Sequence, residues 1–497
     1  MHLVFDTENI KTIIPELQKA QKYIRIAVFQ IHHKDLFEVL DKKCKEGIRV
    51  EIITLPYDSI NEDAREAVTA RFKGLENRGA KLYFAKWNVG DPGRSTTAEG
   101  RWYSFHGKFI ITDKSAIALS ANFTEDNDLN ISVIENSANK IAEFNEQFDR
   151  LRSLFCEDEI RTDILKTDPT NATKLFSPPP SIHDEIIKKH WIRHYPVALC
   201  AESANIDNKL YLTPFDCKGR EFFDVVLNST KKEIFISTES FTDPEMSELL
   251  IKLSLKGIKI RLLTGATSQD FQDRLNSMFK EMLASNIDIR TRPDLHAKML
   301  ITDDYLVISS LNLNKINLGF YQTKKYWREN TETIYVLKDA ATTQEAKTLY
   351  LNIFNNESKD IREKLAETAM KKVKKIVKRI GVKMNKQSKD SFASFILESE
   401  INNELLLNNI LKISVKLLNI FKNKAIDNTT IISALVLNCL FNNKNGCSFD
   451  TIKFQIKIDE KMVRAAIDIL SEKKIIMLDD GIYHIQERFL TSRPDRI

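Results

Sequence analysis

Long apolar runs are missing from this chain. No stretch approaches the roughly 18 consecutive apolar residues that a membrane-spanning helix needs, so a membrane-embedded protein is not expected. The opening Met1-His2-Leu3-Val4-Phe5-Asp6 has no basic segment followed by an apolar one, which leaves no visible secretion signal. An excess of one charge is missing too. The 74 Lys and Arg stand against 69 Asp and Glu, a net charge of +5. That is mild for 497 residues, so any nucleic-acid footprint must be local. Cysteine is scarce. The six, at 44, 156, 200, 217, 439 and 447, include no CxxC or metal-ligand spacing. Reduced, structural thiols in a cytoplasmic protein are the expectation. The remainder, 42% hydrophobic and 29% charged, is the composition of a soluble globular protein. The length suits about two to four domains.

Histidine is also rare, nine in all, yet two of them sit in the same setting. One copy reads Phe105-His106-Gly107-Lys108-Phe109-Ile110-Ile111-Thr112-Asp113, the other Leu295-His296-Ala297-Lys298-Met299-Leu300-Ile301-Thr302-Asp303. Each runs on to a matching tail, Ser120-Ala121-Asn122 and Ser310-Leu311-Asn312, with His to Ser spaced 14 in both (120 − 106 and 310 − 296). Phe109–Ile111 with Ile117–Leu119, and Met299–Ile301 with Leu306–Ile308, predict two β-hairpins. Alternation along a strand puts His106 and Lys108 on one face, with Ser120 and Asn122 on the returning strand. A hairpin would thus gather an imidazole, an ammonium, a hydroxyl and an amide. Imidazole serves as nucleophile, base or acid, and ammonium suits a phosphate oxyanion. A single such copy would ordinarily be a surface pair with a turn aspartate. Two with matching tails are hard to assign to chance.

In these motifs the chain resembles the phospholipase D superfamily, whose mark is two His-x-Lys-x4-Asp motifs followed by Gly-Ser-x-Asn. The likeness covers about the first 350 residues. It departs where Leu119 and Ser309 replace the Gly before Ser. The resemblance implies a phosphodiesterase in which one His attacks phosphorus to form a phosphohistidine. The other His protonates the leaving oxygen and then activates water. Lys108, Lys298, Asn122 and Asn312 would hold the non-bridging oxygens. Two ammonium groups then stand where other enzymes use divalent ions, so no metal and no cofactor are expected. Asp113 and Asp303 are expected to brace the hairpins. In the family a downstream Glu often orients its own half's His. Glu332 fits that role for His296, whereas Asp128-Leu129-Asn130 offers His106 no Glu in register. A carboxylate partner raises a His pKa. On that basis His296 is assigned as acid and His106 as nucleophile.

The chain around the motifs also repeats. Tyr23–Phe29, Leu36–Lys45 and Gly47–Ile53 form a strand, helix and strand, echoed by Ile234–Thr238, Met246–Leu255 and Gly257–Leu263. Gly47 and Gly257 read as helix C-terminal stops. From Gly to motif His is 59 residues in one copy (106 − 47) and 39 in the other (296 − 257), the surplus falling largely in Asn88–Tyr103. That loop is expected to form one rim of the site. The expected fold class is α/β: two phospholipase D-like halves related by a pseudo-twofold, then a mostly helical, winged-helix-like C-terminal domain. The divisions are a first half at 1–158, a linker at 159–217 with Ser177-Pro178-Pro179-Pro180 stiffening it, and a second half at 218–356. A basic amphipathic helix at 357–392 and a winged-helix-like domain at 393–497 follow.

The helix carries Ile361, Leu365, Ala369, Val373, Ile376 and Ile380 on one stripe. Lys371 to Lys389 holds nine Lys or Arg and no acid. A solvated face, a phosphate-backbone contact and a membrane-surface helix all fit. Beyond it, Ile431–Leu440, a helix opened by Ser448 and a third opened by Asp459 lead to a hairpin at Ile475–Leu478 and Ile482–Ile485, turning at Asp479-Asp480-Gly481. Three functions compete. One is a DNA nuclease, in bacterial restriction or defence, with Lys374, Lys375, Lys378, Arg379, Lys461 and Arg464 as nucleic-acid contacts. Another is a phospholipase D or phosphatidyltransferase at a membrane surface. The third is a non-catalytic regulator binding DNA or protein through the C-terminal domain. Two complete motifs argue against the third. The lack of a membrane span and the C-terminal pattern favour the first.

Overall fold

The apolar run behind each His-x-Lys pair becomes a central strand of its own sheet. The structure, a computed structural model, describes residues 1–55, 62–84, 86–88, 100–124, 128–155, 206, 208–213, 216–265, 273–315, 317–318, 321–322, 326–398, 404–443, 446–456 and 458–486. The chain divides into two compact units: Met1–Asp270 with Met278–Lys359, and Phe271–Ser277 with Asp360–Ile497.

In the first unit, Lys108–Thr112 pairs antiparallel with Ala116–Leu119, and Met299–Ile301 with Leu306–Ser309. Both predicted hairpins form. The first sheet runs Asn130–Glu135, Ala116–Leu119, Lys108–Thr112, Tyr23–Val28, Arg49–Thr54, Lys81–Phe84. The second contains the same order: Tyr326–Leu337, Leu306–Ser309, Met299–Ile301, Glu233–Thr238, Lys259–Thr264, Asp288–Thr291. An extra strand flanks each in the same place, His2–Asp6 on Asn130–Glu135 and Leu210–Thr213 on Tyr326–Leu337. Leu210–Thr213 was expected in the linker, so the second half starts earlier than 218. Residues 159–205, including the Pro run, lie outside the described residues.

Alternation along the strands separates two apolar layers. Phe109 and Ile111 enter a core between the sheets, where the helices Ala138–Phe155 and Ala340–Asn356 also bury Phe144, Phe148, Tyr350 and Phe354. Ile110 and Ile117 face the other way, onto Ile13, Leu17, Leu36 and Phe72 of outer helices. Local signals set the helix ends. Asp243 accepts the Met246 amide at 2.8 Å and Pro244 follows it, so Pro244–Leu255 starts there. Gly257, at φ +92°, ends it in the left-handed region, as Gly47 at φ +78° ends Lys34–Lys45. Leu119 and Ser309, which replace the expected glycines, are paired strand residues opposite Ser132 and Ile334, where no glycine conformation is needed.

One feature breaks the repeat. Gly100–Phe105 leaves the first half and pairs parallel with Tyr326–Thr331 of the second, Phe105 beside Thr331. The stretch expected as a rim loop therefore ends as a strand of the opposite sheet. Residues 89–99 lie outside the described residues.

In the second unit, Asp360 caps Ile361–Ile380 by accepting the Arg362 amide at 2.8 Å, and Gly381 at φ +70° stops it. Ile361, Leu365, Ala369, Val373 and Ile376 are buried as the stripe predicted. Val373 and Ile376 join a core with Phe392, Ile410 and Leu435, each contributing about 1.5–3 kcal/mol by its burial. The order that follows is Asn428–Asn442, the short strand Cys447–Ser448, Phe449–Ile456, Glu460–Glu472 and the hairpin Ile476–Asp479 with Ile482–Ile485. Asp480 at φ +46° and Gly481 at φ +77° form its turn. Cys439 and Cys447 are free thiols 3.9 Å apart, and burial pushes Cys439 up to about 12. Among the described residues no helix is long and apolar enough to cross a membrane.

Candidate active site

Each motif histidine is tied to the opposite half by its backbone. The His106 amide donates to the Thr331 carbonyl at 2.7 Å, and the His296 amide to Leu129 at 2.9 Å. Thr333 Oγ1 also accepts the Lys108 amide at 3.0 Å. Between them Gly107 passes so close to Phe105 and Thr333 that a Cβ would sit 2.6 and 2.7 Å from their side chains, so a side chain at 107 would force them apart.

The side chains cross over as well. His106 Nδ1–H donates to Glu332 Oε2 at 2.7 Å. The expected pairing of Glu332 with His296 is therefore corrected: the carboxylate serves the other half's histidine. The cause is topological, because Gly100–Phe105 delivers His106 beside the strand that carries Glu332. Glu332 is fully buried and accepts further from Ser310 Oγ at 2.5 Å, from Asn330 Nδ2 at 3.4 Å and from Asn317 Nδ2. The mirror contact is His296 Nδ1–H to Asn130 Oδ1 at 2.9 Å. Ser120 Oγ also donates to that oxygen, at 3.0 Å, while Asn130 Nδ2 donates to the Asp128 carbonyl. Asn130 and Glu332 hold equivalent places, since Ser120 binds Ile131 and Ser310 binds Thr333 through both backbone and hydroxyl. Ser120 and Ser310 thus brace the orienting groups, whereas the hairpin reading had gathered their hydroxyls with the imidazole and ammonium.

The lysines are buried as deeply as Glu332. Lys108 is 0% and Lys298 1% exposed. Lys108 Nζ donates to the His106 carbonyl at 3.0 Å and lies 3.4 Å from His106 Nε2. Lys298 Nζ donates to the His296 carbonyl at 2.7 Å. Burial, with Lys298 nearby, lowers Lys108 to about 7, and burial lowers Lys298 as well. Burial also depresses both imidazoles, His296 well below the ordinary histidine value, with Lys298 adding to it. Burial in this site therefore disfavours positive charge. An entering phosphate anion reverses that sign.

A further residue, missed in the sequence, completes the second half. Glu239 Oε2 lies 3.1 Å from Lys298 Nζ, 3.2 Å from Asn312 Nδ2 and 3.4 Å from His296 Nε2. Against the cost of its burial, Lys298 and His296 hold its carboxyl down at about 2. Its counterpart in the first half is Phe29, because Ala27 faces Phe109 where Ser237 faces Met299. Phe29 meets the His106 ring edge to face, with centroids 4.4 Å apart, and lies under Lys108 at 5.6 Å. Aligning the two repeats exposes this Phe-to-Glu change at the end of an apolar strand, the signal that was available.

The other predicted residues fall in two groups. Asn122 and Asn312 stand just past the returning strands, and their Oδ1 atoms have no hydrogen-bond partner among the described residues. Asp113 Oδ1 accepts the Gln21 and Lys22 amides at 2.8 and 3.0 Å, and Asp303 Oδ2 those of Lys231 and Lys232 at 2.7 and 2.9 Å. Both aspartates anchor the neighbouring strand's start. Lys374, Lys375, Lys378 and Arg379 lie exposed on Ile361–Ile380 of the second unit. There too, Lys461 is exposed, whereas Arg464 donates to Glu460 at 2.8 Å and lies over the Phe449 ring at 4.0 Å. Among the described residues no His, Cys, Asp and Glu form a group able to hold a metal ion.

A family model described as "Cardiolipin synthase, PLD-like domain" matches residues 13–152 and 225–356, together more than half of the chain. No protein of curated function matches. Among solved structures, the chain resembles phosphatidylserine synthase of Haemophilus influenzae Rd KW20, with 16% identity and a TM-score of 0.48 over 72% of this chain and 87% of that one. It also resembles Nuc, a phospholipase D family member from Salmonella typhimurium, with 18% identity and a TM-score of 0.26 over 32% of this chain and 97% of that one.

Proposed function

This chain belongs to the PLD-like domain family, a superfamily of phosphodiesterases and transferases, and on that premise we propose that it is a nuclease that cuts DNA through a phosphohistidine. The carrying observation is the pair of histidines, each fixed through Nδ1 by the opposite half. With Nδ1–H donated to Glu332, the His106 lone pair lies on Nε2. As Nε2 bonds to phosphorus the ring becomes cationic, and the Glu332 carboxylate directly behind it stabilises that charge. His296 donates Nδ1–H to a neutral amide and becomes an acid when Nε2 is protonated too, a cation that burial opposes and that the nearby Glu239 carboxylate and an entering phosphate favour. His106 is accordingly the nucleophile. His296 protonates the leaving oxygen, then takes a proton from the water that releases the enzyme. This proposal gives the two histidines the roles expected from sequence, but with Glu332 behind His106 and not behind His296. Lys108, Lys298, Asn122 and Asn312 supply the donors for the non-bridging oxygens.

The nucleic-acid part rests on the second unit. Ile361–Ile380 exposes its cations while Ala369, Val373 and Ile376 of its apolar stripe are buried in that unit's own core. A helix that rides on a membrane needs that stripe for the lipid. We read 428–485 as a winged helix. A protein partner for that unit is the second reading, favoured by Phe454 at 80% and Leu478 at 57% exposure. The test is incubation of the pure protein with DNA, RNA and phospholipid panels in excess EDTA. DNA cleavage supports the proposal. Cleavage or headgroup exchange of phospholipid alone would replace it with the phosphatidyltransferase reading.

A further inference from the structure

The two halves treat the substrate side of their histidines differently. Phe29 packs its aromatic ring against His106, and Glu239 meets His296 with a carboxylate. A single oxygen, Glu239 Oε2, reaches the imidazole, ammonium and amide of the second half at once. Those are the groups that the oxygens of a bound phosphodiester would meet, the ammonium and amide its non-bridging oxygens and the imidazole its leaving oxygen. The Glu239 side chain is 35% exposed, while its partner Lys298 is 1% exposed, so the carboxylate is the part of this cluster open to solvent.

We propose that Glu239 sets the charge this site accepts: by filling one anionic seat, it admits a phosphodiester monoanion and turns away phosphate dianions. This rests on the phosphodiesterase reading above and adds the substrate's charge to it. The site sets two lysines, Lys108 and Lys298, against two carboxylates, Glu332 and Glu239, so a further anion enters most easily by displacing one of the two. Glu332 is held by four donors behind His106 and has no room to leave. Glu239 has three partners, all shared with the incoming phosphate. A monoanion replaces it one charge for one. A dianion either displaces it and leaves an unmatched charge, or sits beside it and is repelled. The same competition favours turnover. Hydrolysis of a diester produces a monoester that gains most of a second negative charge near neutral pH, and Glu239 returning to its partners expels it.

The test is calorimetric titration of the full chain with inorganic phosphate and with dimethyl phosphate, a diester monoanion, at about pH 7.5, where inorganic phosphate is mostly dianionic. Glu239→Gln should bind inorganic phosphate about tenfold or more tighter than the wild type, and dimethyl phosphate much less changed. Glu239→Phe, which copies Phe29 of the other half, should shift the same ratio the same way and guards against one variant misfolding. Glu239→Asp should keep the wild-type preference. An unchanged ratio of the two affinities in both the Gln and Phe variants overturns the proposal. A wild-type protein that binds these ligands but hydrolyses no diester would sink the functional reading while leaving this comparison, which reads binding alone, to be decided.

Discussion

Replacing Glu332 by Gln changes one buried atom and should disable the nucleophile. Oε1 faces two amide donors, Asn317 and Asn330, neither of which can accept. The new NH₂ must therefore take the Oε2 position, facing Ser310 and His106. The Ser310 hydroxyl can rotate and accept. His106 can accept at Nδ1 only by moving its proton to Nε2, which occupies the lone pair that attacks phosphorus. The buried charge behind the cationic intermediate is lost as well. Breaking a buried ionic contact of this kind costs about 3–5 kcal/mol, which corresponds to roughly 10²- to 10⁴-fold in kcat/KM. The assay is single-turnover formation of the phosphoenzyme from a diester with a 4-nitrophenolate leaving group, which needs no proton. Glu332→Gln should form the intermediate slowly. His296→Ala should form it readily and then retain it, because the base that activates water is gone. Should Glu332→Gln instead form it at the wild-type rate and accumulate it, the carboxylate would be acting through His296, and the assignment would be reversed.

Three further outcomes follow from the same contacts. Lys108→Met should abolish activity yet stabilise the fold, by a few kcal/mol at about pH 6 and by less at about pH 9. Lys108 is lowered from 10.5 to about 7, so between those values the unfolded chain binds the extra proton, and wild-type stability rises with pH through that window. Chemical denaturation at the two pH values checks it, and equal gains at both would contradict the shift. Asp113→Ala leaves the Gln21 and Lys22 amides without their acceptor. It should cost about 1–3 kcal/mol of stability with kcat changed little, read by denaturation and turnover together. Replacing Lys374, Lys375, Lys378 and Arg379 with Ala should flatten the salt dependence of DNA binding by up to about 0.9 in slope per lost phosphate contact. Cleavage of a small diester should stay intact, and an unaltered slope would return this helix to a purely solvated role.

Much of the molecule was legible in the residues because its causes are local. His-x-Lys followed by an apolar run and a polar turn can only present its polar groups at the end of a short hairpin strand, and both hairpins form. Gly47, Gly257 and Gly381 end helices because neighbouring residues cannot easily enter the left-handed region. Asp360 and Asp459 start helices because their carboxylates reach the next amides. The stripe from Ile361 to Ile376 announced its burial by its period.

What only the tertiary structure decided is which half serves which histidine. Glu332 is 226 residues from His106 and nearer in sequence to His296, and no period or spacing links the distant pair. The strand Gly100–Phe105 crossing into the second sheet places them together. Asp128-Leu129-Asn130 reads in sequence only as lacking a Glu for His106, and the hydrogen bonds show instead that Asn130 serves His296 from the place that Glu332 holds in the other half. Glu239 lies outside both motifs, and only the pairing of Glu233–Thr238 with Met299–Ile301 brings it to His296. Periodicity, caps and turns depend on residues a few positions away. The choice of partner at the site depends on strand order and packing between sheets, which bring together groups that the chain itself keeps far apart.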